Sequence, residues 1–129
     1  MAFVKYNPNP QANRVGDCTV RAIACATKTD WDTAYLSIAL QGFVMKDMPS
    51  SNAVWGQFLR SIGFVRNVVK EDCEVCYTVR DFAREHPKGT YVVGTGTHVL
   101  CIVNGDWHDT WDSADETPIY YFERSDADV

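Results

Sequence analysis

The sequence predicts a single α+β domain over residues 1–129, with helices first and an antiparallel β-sheet after them. Three observations support this prediction. Apolar residues recur at helical spacing in four segments before residue 87, and β-branched and aromatic residues dominate from residue 90 onward. A chain of 129 residues is also long enough to bury one hydrophobic core. We expect the helices to pack on one face of the sheet.

The first helix is predicted from about Asp17 to Thr27, after a turn-rich opening segment, YNPNPQANRVG. That opening segment is expected to lie as an extended arm on the surface. The helix VRAIACA is apolar on almost every side, and its small side chains permit close packing. Arg21 is its only charge, so we expect a buried helix against the sheet.

Three further helices follow in chain order. The second covers WDTAYLSIALQGF, and the third is capped by Ser51 or Asn52 and ends at Gly63. The fourth begins after Thr78, with Asp81 three residues later as the second half of a capping box. Several apolar residues of the second helix are expected in the core: Trp31, Tyr35, Leu36, Ile38 and Leu40.

The C-terminal part of the chain is predicted to form the sheet. The stretch TYVVGTGTHVLCIVNGDWHDTWDS has the composition of strands, and its NGD sequence is a strong hairpin signal. TPIYYFER supplies a further strand. The hairpin decides which side chains of its two strands lie side by side.

Charge and composition exclude several classes of partner. Twelve lysines and arginines stand against 17 aspartates and glutamates, a formal charge of −5. Nucleic acids and anionic membranes both require a basic surface, so we expect neither as the main partner. The N-terminus has no signal-peptide core and no stretch is long and apolar enough to span a bilayer, which predicts a cytoplasmic protein.

Five cysteines without a secretion signal are interpreted as thiols rather than as a disulfide framework. Cys73 and Cys76 form a CxxC pair, which could be half of a zinc site or a redox pair. A structural zinc needs two further ligands, and the three histidines offer no second paired motif. We therefore predict no metal and no cofactor.

Cys18 lies where a thiol ionises most readily. It opens the first helix, where unpaired N–H groups and the helix dipole stabilise an anion, and cysteine pKa values fall. Asp17 is the predicted cap, and we expect its carboxylate to bind backbone donors rather than repel a thiolate. Arg21 would either neutralise Asp17 or face solvent. Cys25, deeper in the apolar run, is interpreted as a small buried hydrophobe.

A nucleophilic thiol needs a base, and His98 is the predicted one. It opens a strand directly after the small residues GTGT. His86 follows a helix and precedes Pro87, a position that explains an imidazole without catalysis. His108 lies one strand away and stays a weaker candidate.

The hairpin register predicts which acid orients His98. In a three-residue NGD loop, Val103 faces Trp107 and His98 faces Asp112. A two-residue loop shifts the pairing by one and brings Asp109 to the His98 face instead. The three-residue register gathers the tryptophans on the apolar side, so Asp112 is favoured and Asp109 is the alternative.

The order cysteine, histidine, aspartate, with the cysteine opening a buried helix, resembles the papain-like cysteine peptidases. GDCTVRAIA and GTHVLCIVNGDWHDTWDS look like the small bacterial and phage members of that fold. These are related to the leader-cleaving peptidase domains of bacteriocin exporters, where an Asp-Cys pair also starts the helix. The resemblance covers residues 13–26 and 95–113.

This resemblance implies a papain-like hydrolase of peptide, isopeptide or amide bonds that acts on a protein or peptide. Cys18 would attack the carbonyl carbon, His98 would hold the ion pair and protonate the leaving group, and Asp112 would orient the imidazole.

The resemblance also implies an oxyanion site made by the Cys18 N–H and an upstream side-chain amide, usually a glutamine six positions earlier. Ala12 occupies that position here, so the amide is predicted as Asn13 or Gln11, with Asn13 favoured because it is nearer.

Two other functions stay open. A papain-like scaffold of phage origin could bind a host or phage protein without turnover, as the small size and the displaced amide suggest. A weaker reading makes the CxxC pair a zinc knuckle in a partner-binding module. The sequence fixes neither the substrate nor the oligomeric state.

Overall fold

Four helices and six strands form the part of the chain that the computed structural model describes, residues 1–69 and 77–124. The helices are α1 (Cys18–Thr27), α2 (Trp31–Met45), α3 (Asn52–Ser61) and α4 (Val79–Glu85). The strands are β1 (Phe3–Lys5), β2 (Phe64–Val68), β3 (Thr90–Gly94), β4 (Val99–Val103), β5 (Asp106–Asp109) and β6 (Tyr120–Arg124). The predicted α+β class is confirmed. Cys73 and Cys76 lie outside the described residues.

The described strands form one mixed sheet in the order β1-β5-β4-β3-β6-β2. β1 runs parallel to β5, and the other neighbours are antiparallel. The prediction of an antiparallel sheet built from the C-terminal part of the chain holds for the four central strands, whereas β1 adds a parallel edge strand and β2 an antiparallel one from earlier in the chain. β1 precedes the segment YNPNPQANRVG that the sequence predicts as a surface arm, and β2 follows α3. The partners of both edge strands lie far away in sequence, so no local pattern indicates these pairings.

Helices cover both faces of the sheet, which corrects the prediction of one covered face. α1 packs on β4, and its Ile23 shares a core with Val92 of β3. α4 packs on the other face, where Phe82 lies in a second core with Val93 and Leu100. Because successive strand residues point to opposite sides, neighbours such as Val92 and Val93 enter different cores. The continuous apolar runs of β3 and β4 follow from this burial on both faces.

The helix ends follow the local signals in the sequence. α3 begins after Ser51, and α4 begins with the predicted capping box between Thr78 and Asp81. α2 differs from the expectation, because Leu36 and Leu40 are 67% and 63% exposed. α2 is apolar around its whole circumference and buries only a narrow stripe, so periodicity could not select its inner face. No helix within the described ranges is long and apolar enough to span a membrane.

The β4–β5 hairpin has a two-residue loop. Val103 pairs with Asp106, and the loop residues Asn104 and Gly105 have φ of 50° and 82°. Two successive positive φ values are the requirement of a type I′ turn, for which Asn-Gly is the preferred sequence. The predicted three-residue loop, with Val103 opposite Trp107, is wrong by one residue.

Candidate active site

Cys18 is the first residue of α1, and its thiol meets the chain just before and at the start of β4. The His98 ring and the Val99 backbone lie beside the thiol and lower its pKa by hydrogen bonding. Burial raises the pKa of the Cys18 thiol, but these hydrogen bonds and the charges of His98 and Arg21 bring it below its ordinary value. The packing of α1 on β4 therefore brings together a thiol and an imidazole 80 residues apart in the chain.

His98 is held from its other side by Asp109. The distance from His98 Nε2 to Asp109 Oδ2 is 2.6 Å, and the two side chains are 11% and 0% exposed. Because Nε2 is engaged by the carboxylate, Nδ1 is the ring nitrogen left for Cys18. Burial lowers the pKa of His98, but its hydrogen bonds to Asp109 and Cys18 raise it to about 9. The imidazole is therefore a stable cation at neutral pH.

Asp109 stands at the end of β5, and several donors fix its carboxylate. Ser113 Oγ donates to Oδ2 at 2.8 Å, the Thr110 N–H donates to Oδ1 at 2.8 Å, and Arg21 Nη2 lies 3.4 Å from Oδ1. Burial raises the pKa of Asp109, but the hydrogen bond and charge of His98, with the Ser113 and Thr110 donors, lower it below its usual range. The buried acid thus stays ionised and oriented.

Asp112, the favoured third residue from the sequence, does not contact His98. Its Oδ1 accepts hydrogen bonds from Trp107 Nε1 at 2.9 Å and from the Ala114 N–H at 3.1 Å, which shape the turn after β5. The pairing of His98 with Asp112 is therefore wrong, and the alternative, Asp109, occupies that place. The type I′ turn is the reason, because a shift of one residue exchanges the faces of the second strand.

A buried ion-pair network surrounds Asp17, immediately before the thiol. Asp17 makes no capping hydrogen bond with its side chain, contrary to the expectation. Its carboxylate instead accepts hydrogen bonds from Arg21 Nη1 and, at 2.9 Å, from Trp31 Nε1. Arg21 therefore bridges Asp17 and Asp109. This compensates the negative charge beside Cys18 and leaves the first N–H groups of α1 without a carboxylate on them.

Sequence reasoning missed two members of this site. The helical spacing of Trp31 predicts a core residue, and Ser113 carries no recognisable signal. The four-residue spacing of Asp17 and Arg21 on a helix was the one visible hint of the network.

A cleft of about 810 Å³ opens over Cys18 and His98. The N-terminal segment, the start of α1 and the loops that carry His98 and Trp111 line it. Trp111 is 46% exposed, and its ring centre lies 5.2 Å from that of His98. Both amides are exposed, but Asn13 lines the cleft and Gln11 does not. Of the two amides predicted for the oxyanion, Asn13 is the one that faces the thiol's cleft.

Comparison with known proteins leaves the family open, because no family model, no curated protein and no solved structure matches this chain. The chemistry is therefore argued from the geometry alone. Within residues 1–69 and 77–124, no group of three histidine, cysteine or acidic side chains could hold a metal ion. The side chains that meet here are a thiol, an imidazolium and a buried carboxylate. A thiol whose pKa is lowered ionises more readily, and the thiolate is the nucleophilic form of cysteine.

Proposed function

We propose that the chain is a thiol-dependent hydrolase of peptide, isopeptide or amide bonds, built on a papain-like domain and acting in the cytoplasm. One observation carries the proposal. The thiol at the start of α1 contacts an imidazole whose second nitrogen is bound by a fully buried, ionised carboxylate. Nucleophile, base and orienting acid thus stand in the order that covalent acyl transfer requires.

In the acylation step, the Cys18 thiolate attacks the carbonyl carbon and forms a tetrahedral oxyanion. The C–N bond then breaks, and the His98 imidazolium gives its proton to the departing amine. The product of this step is a thioester on Cys18 with a neutral imidazole. Asp109 holds the ring in one orientation throughout and stabilises its charged form.

In the deacylation step, His98 takes a proton from water, and the hydroxide attacks the thioester. The C–S bond breaks, and the carboxylic acid leaves with the thiolate–imidazolium pair restored. The N–H of Cys18 is the proposed oxyanion donor, because the first N–H groups of a helix lack internal partners and Asp17 does not cap them. Asn13 is the proposed side-chain donor, since it lines the same cleft.

Selective alkylation tests the nucleophile. At pH 6, iodoacetamide should modify Cys18 at least ten times faster than any other thiol, because Cys18 is the one cysteine of the described residues with an imidazolium beside it. Mass spectrometry of peptides from the treated protein measures each rate. Cys25→Ser is the matched control, since it removes a thiol from the same helix and should leave the fast reaction intact. Equal rates at Cys18 and Cys25 would overturn the proposal.

Turnover is tested separately with a library of fluorogenic peptide amides. Wild type and Cys25→Ser should release the fluorophore, and Cys18→Ser should not. A reactive Cys18 without turnover on any peptide, isopeptide or simple amide would instead support the papain-like scaffold that binds a partner without cleaving it.

A further inference from the structure

The cleft over Cys18 carries more positive than negative side chains. Lys5, Arg14 and Arg21 line it together with a single acid, Asp17. Arg21 is already committed, because it pairs with Asp17 and with Asp109 behind the cleft. Lys5 and Arg14 are exposed, and neither forms an ion pair with another residue in the described ranges. Two cations therefore face the cleft without a compensating acid there.

Each of these cations has a defined place beside the reactive groups. Lys5 ends β1 and pairs in register with Asp109, the acid that holds His98. The next residue, Tyr6, donates its N–H to the Asp109 carbonyl at 2.7 Å, which ties the strand end to the site. Arg14 stands four residues before Cys18 in the segment that forms the cleft wall. One cation lies on the Asp109 side and one on the segment leading to the thiol.

The wall that carries Arg14 is shaped by a turn. The Ala12 N–H donates to the Asn9 carbonyl at 2.9 Å, and Ala12 has a positive φ of 53°. The buried Asn9 also accepts the Gln11 N–H at 2.9 Å through its side chain. These bonds turn the chain back before Asn13, so Arg14 follows a structured turn into the cleft.

The sign of the cleft contrasts with that of the chain, whose formal charge is −5. An acidic surface repels anions, so a local excess of cations concentrates them at one place. Arginine and lysine beside a partly enclosed cleft attract carboxylates more strongly than the same residues on an open surface, because fewer waters screen the charge.

We propose that the cleft selects acyl substrates that carry a carboxylate close to the scissile bond, bound by Lys5 and Arg14. This inference rests on the proposed function. The carboxylate has two sources in peptides, an acidic side chain or the free C-terminus. A nucleic-acid phosphate is disfavoured, since backbone binding needs many cations along an extended surface and the chain as a whole is acidic.

Two alkylating reagents test the cleft without knowledge of the substrate. Iodoacetate is an anion and iodoacetamide is neutral, and both react with the same thiolate. The ratio of the iodoacetate rate to the iodoacetamide rate at Cys18 therefore reports the charge around the thiolate, and changes in nucleophilicity cancel. The double variant Lys5→Gln, Arg14→Gln should lower the ratio about fivefold at low salt, and 0.5 M NaCl should shrink the difference.

Arg60→Gln, Lys88→Gln is the matched control, because it changes the net charge equally at exposed positions that do not line the cleft. Its ratio should equal that of wild type. A ratio unchanged in the cleft variant, or lowered equally in the control, would overturn the proposal.

Peptide amides then separate the two sources of the carboxylate. One pair differs by glutamate or glutamine beside the scissile bond, and a second pair differs by a free or amidated C-terminus. The arm that loses its preference in Lys5→Gln, Arg14→Gln identifies the source, and no charge preference in either arm contradicts the proposal.

Failure of the inference and failure of the proposed function give different results. If Cys18 is alkylated fast but the reagent ratio is the same in Lys5→Gln, Arg14→Gln as in wild type, only the proposed anion selectivity is wrong. If Cys18 is alkylated slowly but the reagent ratio depends on Lys5 and Arg14, the proposed hydrolase function is wrong and the cleft still binds anions.

Discussion

The two thiols of α1 occupy very different surroundings on one short helix. Cys18 meets the His98 imidazole at the N-terminal end, whereas Cys25, seven residues later, is in hydrogen-bond contact with the Cys101 thiol. Both helix residues face the β4 region, and both are partly buried. The two sites differ in the partner that the sheet presents.

The second thiol pair lies among neutral groups. The hydrogen bond from Cys101 lowers the pKa of Cys25, while burial raises the pKa of the fully buried Cys101 well above its ordinary value. Tyr6 lies beside both thiols, and burial and their proximity raise the pKa of its phenol. Within residues 1–69 and 77–124, no imidazole or carboxylate is among the groups that shift the pKa of either thiol. The comparison teaches that burial alone does not distinguish the two thiols, because Cys18 has both the helix start and an imidazole with its own acid, whereas Cys25 has neither.

Removing the cation that bridges the charged end should have the largest effect. Arg21→Met leaves Asp17 and Asp109 buried without their shared partner, so we expect a loss of about 3 kcal/mol in the free energy of unfolding. Urea denaturation measures it. Arg80→Met is the control, because the Arg80–Asp115 pair is largely exposed and should contribute under about 1 kcal/mol. An equal loss of unfolding free energy in the two variants would contradict a stabilising role of Arg21 between the two buried acids.

Removing the base should erase the difference between the two thiols of α1. His98→Ala is expected to lower the alkylation rate of Cys18 at pH 6 about 100-fold, because the thiolate loses the cation that stabilises it. Mass spectrometry of reactions quenched at successive times gives the alkylation rate, and circular dichroism verifies that the variant is folded. His108→Ala should leave the rate unchanged, since His108 bonds to the Asp106 carbonyl and not to the thiol. A comparable drop in both variants would contradict the assignment of the base.

Neutralising the orienting acid should shift the pH dependence of Cys18. Asp109 favours the imidazolium, which favours the thiolate, so Asp109→Asn lowers the pKa of His98 and raises that of Cys18. The alkylation rate should fall about tenfold at pH 6 and change little above pH 9, where the thiol ionises without help.

Asp112→Asn is the matched control for this change in pH dependence. It keeps the shape of the side chain and lies outside the His98–Asp109 pair. It should retain the wild-type pH profile. The opposite result, with Asp112→Asn shifting the profile and Asp109→Asn leaving it alone, would restore the register predicted from the sequence.

The smallest effect is expected at the neutral thiol pair. Cys101→Ala removes a fully buried sulfur and should cost about 1 kcal/mol of stability, without altering the alkylation of Cys18. The pKa of Cys101 is raised in the folded chain, so its contribution is present below the unfolded thiol's pKa and is lost as pH rises above it. The stability difference between wild type and Cys101→Ala should therefore narrow above pH 9 in thermal denaturation. A slower Cys18 in this variant would show that the two thiol sites are coupled.

Local signals account for much of what the sequence predicted correctly. The α1 start at Cys18, the Ser51 position before α3 and the capping box at Thr78 each depend on residues within one turn of chain. The switch from helical to strand composition depends equally on neighbours. These features need no knowledge of distant contacts, so they could be read before any fold was known.

The errors share the opposite property. β1 and β2 exist because distant strands supply their hydrogen-bond partners, and the inner face of α2 is chosen by what packs against it. The exchange of Asp112 for Asp109 followed from one residue of loop length: the Asn-Gly pair favours the two-residue turn, whereas grouping the tryptophans favours the three-residue register. A difference of one residue in loop length therefore changed which aspartate binds His98.

The sequence by itself determined the helices, the strand-rich C-terminal half and two chemical candidates, a thiol at a helix start and a histidine beside a strand. Only the tertiary structure decided that Asp109 binds the imidazole and that Arg21 bridges Asp17 and Asp109. The physical reason is range. Helix caps and strand propensity act between neighbours, whereas an ion pair beneath a cleft depends on how elements 80 residues apart in the chain pack together.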